Sequence, residues 1–260
     1  MLNYYAVYFA ATLPAIVIAI YVYKKDQFPE DKSEVVIAFL LGTSITFFLF
    51  FLIPVTEAIN DIFFDGYGNI FFLQYFRAAT LEESLKFLVL YYYAYKLKNF
   101  DEPMDAIVFA TTISLGFAAV ENIEYVAMAD NQQAAFDIAF ARAFSAIPLH
   151  ALCGVIMGLF FGLTVFSKNN NNSNLFLALA VPIAIHGSYN FVISTGAGII
   201  AYIILFIVLL RASKVFTRLN ISQNAKEHEY SEKLYDIKES DIYANIIKIS
   251  GIIILVAFII

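Results

Sequence analysis

The sequence predicts an all-α, polytopic membrane protein in which about eight transmembrane helices form one bundle. Three observations predict this class. Of the 260 residues, 61% are hydrophobic and 15% are charged, whereas a soluble domain is about half apolar and a quarter charged. Several stretches are long and apolar enough to cross about 30 Å of hydrocarbon. Finally, the basic residues are concentrated in alternate loops between these stretches.

The predicted spans follow one another along the whole chain. The first is expected to be a retained spanning helix rather than a cleaved signal, because its charges follow the apolar run. The third is interrupted by charge, and the seventh is short. The fifth is long enough to tilt or to begin as an interfacial helix. The eight spans are predicted at 4–23, 35–54, 79–97, 105–128, 136–166, 175–194, 197–212 and 243–260.

The basic residues predict the orientation of this bundle. Twelve of the sixteen Lys and Arg residues fall in loops on one side of an eight-span arrangement. Cytoplasmic loops carry the excess of Lys and Arg, so both termini are predicted to be extracytoplasmic in a multi-pass protein of the cell membrane. The twelve residues are Lys24, Lys25, Lys32, Lys96, Lys98, Lys168, Arg211, Lys214, Arg218, Lys226, Lys233 and Lys238.

Charge and cysteine content exclude some classes of function. The net charge of −6 and the absence of a Lys/Arg-rich run argue against a nucleic-acid partner. Cys153 is the only cysteine in the chain. An intrachain disulfide and a cysteine-based zinc site are therefore excluded.

Several ionisable and amide side chains lie inside the predicted spans. A charge in mid-membrane costs on the order of 3 kcal/mol, so such residues face the bundle interior and usually mark function. At about 1.5 Å per helical residue, Glu82, Glu121, His150 and His186 lie about 21, 24, 27 and 18 Å from the cytoplasmic ends of their helices. Four helices are thus predicted to bring these groups to one layer, in the outer half of the membrane.

Spacing within two of these helices adds detail. Glu82 and Lys86 are separated by four residues, which favours an ion pair on one helical face. Glu83 is turned about 100° from Glu82 and is expected to face the cavity separately. His186 and Asn190 are also four residues apart, so both can point at one reacting atom.

Two chemical routes are open to these residues, and both lead to amide hydrolysis. In the first, a buried carboxylate acts as general base and then as general acid, while histidine and asparagine donate to an oxyanion. In the second, Glu121, His150 and His186 form a His₂Glu zinc ligand set, with Glu82 or Glu83 as the base. The residues by themselves leave both routes open.

Four motifs together resemble a known family. EESLK (82–86), GFAAVEN (116–122), PLHALCG (148–154) and HGSYN (186–190) occur in this order on consecutive predicted helices. This set is similar to the PrsW family of intramembrane proteases, which has an EExxK motif, an FxxxEN motif and histidines on later helices. The related CAAX-prenyl endopeptidases have EExxxR, FxxxH and HxxxN motifs instead. Glu121 and Lys86 place this chain with PrsW, over residues of about 80–190.

The resemblance implies an endopeptidase that cuts a membrane-tethered protein near its extracytoplasmic face. In the best-known family members the substrate is an anti-sigma factor, cut as the first step of regulated proteolysis. Pairing with lysine favours Glu83 as the base, whereas the CAAX branch favours the first glutamate of the pair. The expected catalytic residues are Glu82, Glu83, Glu121, His150 and His186, with Lys86, Asn122 and Asn190 as supports.

The predicted spans and the resemblance together give the expected domain division and partners. Residues 1–78 are expected to form N-terminal spans, 79–194 the catalytic core, and 195–260 the C-terminal spans with a cytoplasmic loop at about 211–242. The expected partners are the lipid bilayer and a membrane-anchored protein substrate, and zinc is the cofactor of the second route.

Two other classes of function fit the buried polar residues: a proton- or cation-coupled secondary transporter, and a non-catalytic membrane scaffold. A transporter predicts inverted repeats, which the sequence does not show.

Overall fold

The computed structural model describes residues 4–166, 172–199, 201–203 and 205 of the chain. Within these residues every regular element is a helix, which confirms the all-α prediction for this part. A π-helix at Phe72–Thr80 and a 3₁₀ turn at Ala94–Lys96 interrupt the α-helices. The α-helices are α1 (Tyr4–Tyr23), α2 (Lys32–Phe63), α3 (Gly66–Phe71), α4 (Leu81–Tyr92), α5 (Pro103–Ala127), α6 (Gln132–Ala143), α7 (Ala146–Phe166) and α8 (Asn172–Ser194).

Five helical segments of the described residues are long and apolar enough to cross a membrane. They are α1, α2, α5, the pair α6–α7 and α8, and they correspond to five of the predicted spans. The predicted third span is not among them, because α4 has only 12 residues and follows a π-helix. The predicted spans at 197–212 and 243–260, and the loop at 211–242, lie mainly or wholly outside the described residues. A count of eight is therefore not confirmed, and the domain division at residues 78 and 194 stays a prediction.

Helix α5 is the centre of the bundle. In its most apolar window 83% of the residues are buried, compared with 22% in α1 and in α2. Its first turn is stabilised by a capping box between Glu102 and Asp105. Glycines on α7 let the two backbones touch: a Cβ on Gly154 would lie 2.6 Å from the Cα of Thr111. His150 lies one turn before Gly154, so it is held on the face of α7 that meets α5.

The outer faces of α1 and α2 carry exposed aromatic and aliphatic side chains. Phe47, Phe50 and Phe63 on α2 are 64%, 73% and 72% exposed. Large apolar surfaces of this kind are unusual on soluble monomers. These exposed apolar surfaces and the five long apolar helices are the features of a multi-pass membrane protein.

Residues 66–92 form one continuous rod made of α3, the π-helix and α4. Phe72 and Leu81, at the two junctions, both keep right-handed helical dihedral angles. The Thr80 hydroxyl donates to the carbonyl of Tyr75, five residues earlier, at 2.7 Å. A π-helical stretch has more residues per turn than an α-helix and so rotates everything that follows it. The π-helix therefore helps to determine which way the next residues of α4 face.

The predicted fifth span is broken into two helices at Phe144–Ser145. Helix α6 ends at Ala143, and α7 begins at Ala146. The segment is thus a short helix followed by a long one, and Arg142 lies in the last turn of the short helix. The break therefore comes just after Arg142, at the end of a short helix that packs beside α5.

Candidate active site

Helix α4 brings two glutamates and a lysine into the bundle interior. Glu83 and Lys86 are fully buried, and Glu82 is 8% exposed. The Lys86 Nζ lies 2.8 Å from Oε1 of Glu83 and 3.8 Å from Oε2 of Glu82. The expected Glu82–Lys86 pair is thus present, but the expectation that Glu83 faces the cavity separately is wrong. Residues three and four apart are both within reach on a helix, and the ammonium lies closer to the more deeply buried carboxylate.

Helix α8 places His186 between the two glutamates. Its Nδ1 lies 2.9 Å from Oε1 of Glu83, and its Nε2 lies 3.8 Å from Oε2 of Glu82. A carboxylate can only accept, so Nδ1 carries the proton and donates to Glu83. The Nε2 atom is therefore directed toward Glu82.

The π-helix fixes the position of this part of α8. The hydroxyl groups of Tyr75 and Ser188 are 2.6 Å apart and form a hydrogen bond. A Cβ on Gly187 would lie 2.4 Å from the Tyr75 ring. Only glycine permits this approach next to His186, so the π-helix and α8 fit closely at the site.

Helix α7 contributes His150 between Lys86 and Glu121. Its Nδ1 lies 3.1 Å from Nζ of Lys86, and its Nε2 lies 2.9 Å from Oε2 of Glu121. Its ring packs edge-on against His186, with the ring centroids 5.0 Å apart. The ammonium can only donate, so Nδ1 accepts and Nε2 carries the proton that is donated to Glu121.

Helix α5 contributes Glu121 and Asn122, and both are held by Arg142. The Arg142 side chain donates to Oε2 of Glu121 at 2.7 Å and to Oδ1 of Asn122 at 2.6 Å. The Asn122 amide donates to the carbonyl of Ala11 on α1 at 3.0 Å. Sequence reasoning did not single out Arg142. The available signal was a lone arginine in an apolar stretch, which is costly in a membrane unless it is paired.

Asn190 is half-buried on α8. In the part of the chain that the structure describes, its side chain makes no hydrogen bond to Glu82, Glu83, His150 or His186. Its supporting role stays a prediction.

Four of these residues have the geometry of a metal site. Glu82, Glu83, His150 and His186 each offer a ligand atom, and these atoms all lie within 4.8 Å of one another. Glu121, which the zinc route included, is not in this group. Its Oε2 accepts from Arg142 and His150 instead.

The donor atoms fit a divalent cation. Tetrahedral zinc ligands lie about 2.0–2.2 Å from the ion and therefore about 3.3–3.6 Å from one another. The four donor atoms lie within 4.8 Å of one another, so their side chains would close around an ion on binding it. In addition, Oε2 of Glu82 and Oε2 of Glu83 are buried with no hydrogen-bond partner in the described structure. Orphaned carboxylate oxygens beside two imidazoles are what a metal would satisfy.

A second group of carboxylates lies near the other end of α5. Asp26, Glu102 and Asp105 are buried, with one oxygen from each within 4.8 Å of the others. Asp105 is sixteen residues before Glu121 on the same helix, about 24 Å along its axis. The loop after α1 and the loop before α5 therefore meet at the end of the bundle opposite the candidate active site.

Comparison with known proteins identifies the family. Residues 30–213 match the family described as PrsW family intramembrane metalloprotease. The chain is 36% identical over 208 residues to Protease PrsW of Bacillus subtilis, covering 79% of this chain and 91% of the relative. It is 34% identical over 201 residues to Protease PrsW of Oceanobacillus iheyensis (77% and 89% covered) and 26% identical over 228 residues to that of Clostridioides difficile (86% and 92% covered). No solved structure matches significantly. All four helices that carry the site lie within the matched residues, and the chain belongs to the PrsW family of intramembrane metalloproteases.

Proposed function

We propose that this protein is a zinc-dependent endopeptidase that hydrolyses a peptide bond of a membrane-tethered protein near the extracytoplasmic face of the membrane. One observation carries the proposal. Three helices bring Glu82, Glu83, His150 and His186 together in the buried interior, with one ligand atom of each residue within 4.8 Å of the others.

The contacts favour different roles for the two glutamates. Glu83 is held by Lys86 and His186 through Oε1, while its Oε2 is free of hydrogen bonds within the described residues. We assign Glu83, His150 and His186 as the metal ligands, a His₂Glu set of the kind that catalytic zinc sites use. These three residues would hold the metal, which would supply polarisation of the scissile carbonyl and activation of the attacking water.

Glu82 is the general base in this proposal. Its carboxylate contacts Lys86 and His186 only at 3.8 Å, and it is the most exposed of the four residues. It takes a proton from the attacking water and delivers it to the nitrogen of the leaving amine as the C–N bond breaks. Lys86 supplies the positive charge that keeps Glu83 a carboxylate inside the bundle.

The positions of the basic loops support a site in the extracytoplasmic half of the membrane. The Asp26, Glu102 and Asp105 group marks the end of the bundle where Lys24, Lys25 and the loop 96–102 lie. The positive-inside rule makes this end cytoplasmic. The site is about 24 Å further along α5, which supports a cut toward the extracytoplasmic face.

The substrate class rests on the family resemblance. A single-span anti-sigma factor, cut on its outer side as the first step of regulated proteolysis, is the substrate we propose. The four residues are buried, at most 8% exposed. A substrate segment that unwinds from its own helix would therefore be hydrolysed at a site screened from bulk water.

Reconstitution tests the proposal directly. The purified protein is placed in liposomes with a panel of tagged single-span proteins, anti-sigma factors among them, with and without a chelator. We expect the wild-type protein to cleave a substrate, the chelator to abolish cleavage and added zinc to restore it. The Glu82→Gln variant should be inactive. The control Glu57→Gln, which alters the ion pair with Arg77, should remain active. Mass spectrometry of the products places the cut. Proton-coupled flux without cleavage would favour a transporter, and peptide binding without cleavage would favour a scaffold.

A further inference from the structure

We propose that Arg142 is a positioning residue for this site: it holds Glu121, and Glu121 orients the imidazole of His150. The inference rests on the proposed function. It also gives Glu121 a role outside the metal ligands, where the structure places it.

The Arg142 side chain is fixed from three directions by one turn of α5. It donates to Oε2 of Glu121 and to Oδ1 of Asn122, and its guanidinium carbon lies 3.8 Å from the ring centroid of Tyr125. Both Arg142 and Glu121 are mostly buried, with side chains 14% and 16% exposed. A planar guanidinium can make two directed hydrogen bonds and a stacking contact at once, which a lysine ammonium cannot.

The same oxygen of Glu121 that Arg142 holds also accepts from His150. Oε2 lies 2.7 Å from Arg142 and 2.9 Å from Nε2 of His150. Since Nε2 carries the proton, the Nδ1 lone pair is directed into the pocket toward Lys86. A carboxylate that receives the second N–H of a histidine fixes its tautomer and ring orientation for metal binding.

Glu121 needs a cation to perform this task. An isolated carboxylate inside a membrane bundle is costly, and Arg142 is the cation that contacts it in the described structure. Arg142 lies in the last turn of α6, just before the break at Phe144–Ser145. Without Arg142, we expect the Glu121 carboxylate to turn away and His150 to lose its fixed orientation.

The test compares Arg142→Met with Arg142→Lys and with a control, Arg77→Met, which removes a half-buried arginine that is ion-paired with Glu57, outside the site. The readouts are zinc affinity, measured by competition with a chromophoric chelator, and cleavage of the test substrate. We expect Arg142→Met to lose about 10- to 100-fold in zinc affinity or in kcat, with KM little changed. Arg142→Lys should recover part of the loss, and Arg77→Met should behave as wild type.

A double-variant cycle separates positioning from packing. If Arg142 acts through Glu121, Arg142→Met should change zinc affinity by less than about twofold once Glu121→Gln is present. Arg142 also contacts Asn122, so Asn122→Ala provides the alternative background. A loss that is additive with Glu121→Gln but disappears with Asn122→Ala, together with a lower melting temperature, would overturn the inference.

Failure of the inference and failure of the proposed function look different. Wild-type protein that neither binds zinc nor cleaves any substrate would remove the proposed function and this role with it. Wild-type protein that binds and cleaves, alongside an Arg142→Met variant with the same affinity and kcat, would remove the role of Arg142 alone.

Discussion

Glu83 and His186 are 103 residues apart in the sequence, yet Oε1 of one lies 2.9 Å from Nδ1 of the other. The contact joins α4 to α8 in the bundle interior. It also gives the two carboxylate oxygens of Glu83 different roles, because Oε1 accepts hydrogen bonds from both His186 and Lys86. This arrangement separates the roles of the two adjacent glutamates in a way that can be measured.

Replacing each glutamate by glutamine should therefore have different effects. We expect Glu82→Gln to lower kcat by about 10²- to 10⁴-fold, the usual contribution of a general base, while zinc still binds. Glu83→Gln should lose zinc as well as activity. Metal analysis of the purified variants, run beside the cleavage assay, distinguishes them. If Glu83→Gln keeps its zinc and Glu82→Gln loses it, then Glu82 is the metal ligand and Glu83 is the general base.

Lys86→Met should destabilise the fold. The Lys86 ammonium is fully buried, pairs with Glu83 at 2.8 Å and lies 4.3 Å from the centroid of the Phe117 ring. Its removal leaves a buried carboxylate without its cation, which costs about 3–5 kcal/mol in comparable pairs. Removing both charges in Lys86→Met/Glu83→Gln should restore most of the loss. Unfolding of the variants in detergent measures their stability, and Lys98→Met, at an exposed lysine, is the control. A double variant that is as unstable as Lys86→Met would contradict the prediction.

Gly187→Ala should disturb the site through packing. The added methyl group would enter the Tyr75 ring, push it from α8 and break its hydrogen bond with Ser188. We expect a loss of about 1–3 kcal/mol, typical of overpacking, and lower activity because His186 moves. Gly198→Ala is the matched control, since a Cβ there meets nothing within 4 Å. A Tyr75→Leu substitution should partly rescue Gly187→Ala, and unchanged activity in Gly187→Ala would show that the fit is not needed.

Stability should depend on pH through Glu30, in the loop between α1 and α2. Burial, reinforced by neighbouring negative charges, raises the pKa of Glu30 to about 7. The folded state therefore holds a proton that the unfolded state releases near pH 4.5, so this residue lowers stability as pH rises from about 4.5 to 7. The neighbouring carboxylates, in order of influence, are Glu34, Asp101, Asp26 and Asp31.

Glu30→Gln isolates this effect, because the amide stays neutral. We expect it to raise the melting temperature at pH 8 and to change it little at pH 5. Melting curves of both proteins across this range are the measurement. A stabilisation by Glu30→Gln that is equal at pH 5 and pH 8 would mean that titration of this group does not contribute.

The sequence alone determined the class of the protein and most of the residues at the site. Apolar stretches long enough to span a bilayer predicted the helices, and five of them are present in the described residues. Glu82, Glu83, Glu121, His150 and His186 were conspicuous because charge in such stretches is costly. The helical rise predicted that Glu82, Glu121, His150 and His186 share one layer of the bundle, and in the structure the two histidines contact the glutamates.

Tertiary structure decided how these side chains are partnered. Lys86 can reach residues three or four positions back, and only the packing of α8 and α7 around it shows that Glu83 is the closer partner. Arg142 pairs with Glu121, which lies outside the group that Glu82, Glu83, His150 and His186 form. The hydrophobic pattern of the sequence predicts which polar residues must face the bundle interior rather than lipid. The rotation and crossing of helices, which contacts far apart in the chain determine, select which polar groups then meet.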